Sequence, residues 1–162
     1  MCGVPYHSCE AYIARLIAKG YKIAICEQTE DPATAKGLVK RDVVRVITPG
    51  TVTESSMLEE GRNNYLASVC RIKNKAGLAF VDTSTGDFHL TTVSGSNIEE
   101  KIINELGSFI PKEVIANKSA MTKPVLAFIR DKLGCCFELL DDDKFDVSHA
   151  NDLIKEHFKV GD

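Results

Sequence analysis

The chain has 162 residues, 44% hydrophobic and 27% charged, with a net charge of −3; that suffices for one ordinary domain of roughly 100–150 residues plus part of another, and excludes a mostly disordered polypeptide. No run approaches the roughly 18 apolar residues of a membrane helix, and the opening MCGVPYHSCE lacks a cationic start followed by an apolar stretch, so a cytoplasmic protein is expected. Charge is uneven: residues 1–50 hold seven Lys or Arg against five acids (+2) and the rest 13 against 18 (−5), so a polyanion would be met by the first part.

In chain order, the spacing predicts a helix with Ser8 as N-cap, Ile13, Leu16 and Ile17 on one face, and Gly20 beyond its end. YKIAICEQ follows as a buried strand. Asp31-Pro32 opens a short helix that Gly37 ends, and a second strand runs from Asp42 to Ile47. Proline cannot donate to a ladder and glycine tolerates unusual backbone angles, so Thr48-Pro49-Gly50 stops that strand and redirects the chain. The stretch from Thr53 to Asn64 is polar and acid-rich, with Met57 and Leu58 as apolar anchors, which suits a linker or a surface crossing.

Three strands come next, YLASVCRIK, LAFVDTS after a turn at 74–77, and DFHLTTV after Thr85-Gly86, forming an antiparallel meander. Ser96 and Glu99 read as a capping box ahead of Ile98, Ile102, Ile103 and Leu106, an amphipathic helix. KEVIAN is a short strand, the segment from Pro124 to Leu133 closed by Gly134 a helix, and CCFELL a further strand. The acidic run at 141–143 is a solvated turn, after which Ser148 caps a last helix containing Ala150, Leu153, Ile154 and Phe158. The order β-β-β-α-β-α-β-α predicts a mixed sheet flanked by helices, an α/β domain complete within residues 63–160. The first 48 residues offer too little to enclose a core and read as the tail of a domain whose beginning is missing.

The motifs exclude several chemistries. Neither G-x-x-x-x-G-K-[ST] nor G-x-G-x-x-G occurs, so no phosphate-binding loop is expected. Cys2, His7, Cys9 and Cys26 lack the repeated tight spacing of a zinc site. Of six cysteines, Cys26 and Cys70 lie in apolar strand-like runs and Cys135 and Cys136 are adjacent, which points to reduced core thiols rather than a disulfide framework. The histidines (His7, His89, His149 and His157) form no signature with a nucleophile; His89 reads as a surface or edge residue and the last two as solvated. Asp82, near the middle of a strand, is compatible with an active ribonuclease-H-like, metal-dependent nuclease, but such chemistry needs several converging carboxylates. The first strand has no acid, and KEVIAN ends in Asn117 where another would be wanted. The reading favoured for Asp82 is a turn role with Thr83, Ser84, Thr85 and Gly86. Lys36, Lys40, Arg41 and Arg45 are candidate DNA-backbone contacts; equally, they form a solvated strand face interleaved with Asp42.

Four segments in order, GVPYH, AICEQ, DPA-x-x-KG and VVRVITPGT, make residues 3–51 closely resemble the end of the mismatch-binding domain of the MutS family of bacterial DNA mismatch repair proteins. LAFVDTSTGDFHLT is similar to the family's next domain, the connector; beyond about residue 95 the likeness rests on element order. The resemblance implies a truncated α+β mismatch-binding part over residues 1–50, a linker over 51–62, and over 63–162 a ribonuclease-H-like connector without nuclease activity. It also implies that Met1 stands at an internal position of longer members, whose lever, clamp and ATPase domains, with their ATP and magnesium, lie elsewhere. The family's Phe-x-Glu pair, which stacks on and bonds to the mispaired base, is absent: no Phe here is followed two positions later by Glu. The implied partners are mismatched double-stranded DNA, MutL, the other MutS domains and a second MutS subunit, the connector relaying between them as a non-catalytic module with no cofactor of its own and no metal. The last helix, with Asn151, Asp152 and Lys155, is the candidate partner surface.

Overall fold

Successive side chains of a strand point to opposite faces, and buried residues alternate accordingly along the first two strands of the central sheet. In the computed structural model, which describes residues 3–31, 33 and 37–161, it comprises β3 (Leu66–Ile72), β4 (Lys75–Asp82), β5 (Asp87–Ser94), β6 (Glu113–Ala116) and β7 (Cys136–Leu139). Their spatial order is β5-β4-β3-β6-β7, with the first three antiparallel and β6 and β7 joined in parallel. This is the mixed sheet expected of the ribonuclease-H-like reading. The turn between β3 and β4 differs from expectation: it is Lys73-Asn74, with Lys73 at φ 55°, and Gly77 lies inside β4 opposite Cys70. Ladder pairing there outweighs the turn preference of glycine.

One face of the sheet is closed by α2 (Ile98–Phe109) and α3 (Lys123–Phe128), the latter continuing as a single π turn over Ile129–Leu133 that Gly134 ends. Ala67, Val69, Leu78, Phe80, Val114 and Ala116 meet Ile98, Ile102, Leu106, Val125 and Ile129 there in one continuous core. Phe80 is fully buried and stacks on Phe109 at 4.0 Å between centroids, with Tyr65 edge-on to both. The opposite face is largely open: Ile72, Phe88 and Leu90 are exposed on it. Small residues occupy its centre, Ser68 and Cys70 facing Ala79 and Gly77.

The first segment is built around α1 (Cys9–Ile17) and an antiparallel ribbon of β1 (Ile23–Gln28) and β2 (Arg41–Ile47). Gly20, at φ +79°, turns the chain between helix and ribbon as the sequence predicts. Buried apolar residues are few: Ile13, Ile47 and Val52, with Ile17, Ile23, Met57 and Leu58 partly covered around them. Residues 51–62, expected as a linker, are thus a pinned surface crossing, because Val52, Met57 and Leu58 find this small core. β1 was expected to be buried, yet Ala24 and Cys26 are exposed; a two-stranded ribbon with one helix against it leaves a face in solvent. The short helix expected after Asp31 falls mostly on residues outside those described.

Two caps differ from the sequence reading. Asn97, not Ser96, is the N-cap of α2, and no side-chain capping bond forms there. At α4 (Val147–Phe158), Asp146 is the cap instead of Ser148, accepting from the His149 N–H at 2.8 Å. Aspartate two residues earlier wins because its carboxylate is both a stronger acceptor and matched to the positive end of the helix. α4 buries no residue: Val147, Leu153, Ile154 and Phe158 are all more than half exposed.

The five cysteines among the described residues are unpaired. Cys26 is not a core thiol, whereas burial pushes the Cys135 thiol up to about 11. With Ellman's reagent at pH 8, Cys26 is therefore expected to react in the folded chain and Cys135 only after unfolding. Phe80→Ala should lower the unfolding free energy by about 3–5 kcal/mol in urea titration, and Phe158→Ala by less than about 0.5 kcal/mol. Equal losses would show that α4 packs against the sheet.

Candidate functional site

The basic residues singled out for phosphate contact do not form one patch. Lys36 lies outside the described residues. Lys40 pairs with Asp42 at 3.1 Å, both side chains being exposed. Arg45 is engaged by the Glu54 carboxylate, and its Nη2 donates to Thr53 Oγ1 at 3.1 Å. This ties β2 to the crossing segment and neutralises Arg45, which a periodicity reading could not foresee. Arg41 opens β2, exposed and without an acidic partner among the described residues. On α4, Asn151 and Asp152 are exposed and Lys155 is half-buried. The helix also presents an apolar stripe, Val147, Ala150, Ile154 and Phe158, which Asn151 and Lys155 border on one side while Asp152 lies on the far face.

Asp82 ends β4 fully buried, and both of its carboxylate oxygens are engaged. Oδ2 accepts from the Asn64 N–H (2.9 Å), and Oδ1 accepts from the Ser84 N–H (2.9 Å) and hydroxyl (2.6 Å). Burial alone would raise its pKa, but these bonds and the Thr85 N–H outweigh it and hold the carboxyl below the usual range. Asn117, where a nuclease would place an acid, clamps β3 instead: its Oδ1 accepts from the Arg71 N–H and its Nδ2 donates to the Arg71 carbonyl, each at 3.0 Å. Among the described residues no three His, Cys, Asp or Glu side chains converge as a metal site requires. The residues do not fit ATP with magnesium either, since no glycine loop is present and the buried carboxylates Asp82 and Glu113 are both engaged by protein donors.

What the fold does assemble is a joint between the first segment and the sheet. Glu113 opens β6 beside Leu66 of β3 and Cys136 of β7. It lies on the sheet face opposite the core, yet is only 2% exposed, because the Pro49-Gly50 turn sits on it. The Gly50 N–H donates to Glu113 Oε2 at 3.1 Å, and Lys22 Nζ lies 3.2 Å from Oε1. Lys22 also pairs with Glu138 on β7. Burial works against the Lys22 charge, but its bonds to Glu138 and Glu113 outweigh this and raise its pKa.

Close approach requires glycine here: a Cβ on Gly50 would lie 2.9 Å from the Glu113 Cβ and 3.0 Å from that of Leu66. Nearby, Cys136 Sγ donates to the Gly20 carbonyl at 3.2 Å, Asn64 Nδ2 donates to the Pro49 carbonyl at 2.9 Å, and Lys112 bonds Glu59 at 2.8 Å. Lys112 holds the Glu59 carboxyl below its ordinary value. These contacts border a cleft of about 520 Å³ between the two parts. The sequence reading missed Glu113; its trace was an acid heading a strand otherwise apolar, beside a turn that had to end somewhere.

The family model for MutS domain I matches residues 1–56 and that for MutS domain II matches residues 64–162. The chain is 46% identical over 160 residues to the DNA mismatch repair protein MutS of Ruminiclostridium cellulolyticum, and 45% identical over 160 to that of Acetivibrio thermocellus. Each alignment covers 98% of this chain and 18% of the relative. The corresponding protein of Pelotomaculum thermopropionicum is 55% identical over 115 residues, 71% of this chain and 13% of the relative. The chain thus spans about 18% of the length of the first two relatives.

Asp82 supplies a pH test of its turn role. Its folded pKa is lowered, so its stabilisation is whole above the ordinary carboxylate range and fades as pH falls through it towards the folded value. Asp82→Asn sets an amide NH₂ among N–H and O–H donors and should cost about 1–3 kcal/mol at neutral pH. Urea titrations from about pH 6 to pH 3 should show a flatter acid limb in the mutant. Parallel curves would refute the assignment.

Proposed function

We infer the function from one premise, that this chain belongs to the MutS family of DNA mismatch repair proteins, and propose that it acts there as a non-catalytic coupling module. In this reading residues 1–50 are the end of the mismatch-binding domain and residues 63–162 the connector, which relays between mismatched double-stranded DNA, the ATPase domains of the full-length protein, a second MutS subunit and MutL. ATP and magnesium act in other domains, and the setting is cytoplasmic. No helix among the described residues is long and apolar enough to cross a membrane.

The observation that carries the reading is the joint itself. Two separate loops of the first segment, at Lys22 and at Pro49-Gly50, converge on one buried carboxylate of the sheet. Polar, directional contacts fix an orientation while remaining exchangeable for water, as a relay that moves by rigid-body rotation needs. Lys36, Lys40, Arg41 and Arg45 are the DNA-backbone contacts this reading assigns; Lys40 pairs with Asp42 and Arg45 with Glu54 when no DNA is present. This reading assigns the MutL contact to α4, with Asn151, Asp152 and Lys155 as its polar candidates; the exposure of Val147, Ile154 and Phe158 on that helix supports it.

Two arms test this. Immobilised chain should capture purified MutL, and Ile154→Asp with Phe158→Asp should weaken capture by about tenfold or more without changing the circular dichroism spectrum. Absence of capture removes the assignment. A labelled mismatched duplex incubated with the chain and magnesium should remain intact; cleavage that vanishes in Asp82→Asn would establish the nuclease alternative instead.

A further inference from the structure

Glu113 is buried by something other than its own domain. The connector core lies on the face of Val114, Ala116, Ala67 and Val69. Glu113 points the other way, and its cover is the Pro49-Gly50 turn of the first segment. A carboxylate locked inside a core would be stranded without partners if they left, at heavy cost. Glu113 would instead pass into water as the first segment swung away, exchanging two protein donors for solvent.

We propose that Glu113 is a releasable latch that sets the angle between the mismatch-binding segment and the connector. Its two donors are unequal. The Gly50 N–H belongs to the peptide group whose carbonyl, that of Pro49, accepts from Asn64 Nδ2. That peptide is therefore gripped on both polar atoms by the connector and forms the fixed end of the joint. Lys22 approaches from the side and is shared with Glu138, a half-exposed carboxylate on the neighbouring strand. Lys22 can keep Glu138 while leaving Glu113, so the joint opens first at Lys22 and last at Gly50. The inference rests on the coupling reading for its purpose, but its test needs neither DNA nor MutL and stands apart from that reading.

Amide hydrogen exchange on the intact chain provides the test. Glu113→Ala should speed exchange at residues 48–52 and 20–24 by roughly 10- to 100-fold, leaving the core strands over residues 66–82 within about twofold of the parent. Glu113→Gln retains an acceptor for Gly50 without the charge, so 48–52 should stay protected while 20–24 loosens; Lys22→Met, which also removes the Glu138 pair, should loosen 20–24 further and leave 48–52 protected. Unchanged exchange at 48–52 in Glu113→Ala, or an equal rise everywhere, overturns the latch, the second outcome marking Glu113 as a folding residue. If Glu113→Ala does not fold, the other two variants decide: protection at 20–24 unaltered in both also overturns it.

Discussion

A sheet has two faces, and this chain closes only one of them. On the closed face, α2 and α3 bury a continuous apolar layer from Tyr65 and Ala67 to Ile129, which supplies the hydrophobic stabilisation of the connector. On the other, the first segment supplies cover at a corner where Leu66, Glu113 and Cys136 meet the loops at Gly20 and Gly50. How the two parts sit is therefore decided there, by a few directional bonds rather than by a broad apolar contact. Apolar surface adheres without regard to angle, whereas hydrogen bonds and ion pairs weaken steeply once geometry is lost.

The first segment needs that corner for its own order. Among the described residues its buried apolar side chains are Ile13, Ile47 and Val52, while Val43, Val44 and Val46 of β2 lie exposed. A lone two-stranded ribbon is marginal in water, and a core of this size does little to change that. Arg45 bonded to Glu54 and Lys112 to Glu59 tether the crossing segment on both sides, yet three of the four groups are exposed and Glu54 is half-buried, and such pairs contribute little apiece. The buried Glu113 contacts are thus the main ordering influence on the segment beyond its small core. The dependence runs both ways, since Glu113 has no reason to be buried without the turn above it.

Much of the fold was legible in the sequence because periodicity reports which face of an element is buried. β3 and β4 alternate cleanly over one core, and Ile98, Ile102 and Leu106 recur at helical spacing on α2. What stayed hidden depends on tertiary context. Ser96 and Asn97 are both acceptable caps, and Ser148 lost to Asp146, whose carboxylate accepts from the His149 N–H. YKIAICEQ is apolar enough for a core, yet which neighbours would cover β1 is not written in it. α4 carries an amphipathic pattern and buries nothing, which shows that periodicity records what a helix can bury, whether or not the partner is at hand. As for the candidate site, Lys40, Arg41 and Arg45 were visible as charges, but the pairing of Arg45 with Glu54 and the meeting of Lys22, Gly50 and Glu113 join residues up to 91 positions apart, beyond any local signal.

One device recurs where strands must be held without apolar packing: a side chain with paired polar atoms grips the backbone. Asn117 takes both the N–H and the carbonyl of Arg71. Asp82 takes the N–H groups of Asn64 and Ser84, fixing the entry to β3 against the turn after β4. Asn64 then passes the constraint on, its backbone held by Asp82 and its side chain holding the Pro49 carbonyl. A chain of bonds thus runs from the β4–β5 turn through Asn64 to the Pro49-Gly50 peptide, and Glu113 closes it from the other side. In a strand position where a nuclease would expose a carboxylate to metal, Asp82 faces inward to anchor this chain. Its buried charge positions the joint by accepting from the Asn64 N–H and from the Ser84 N–H and hydroxyl.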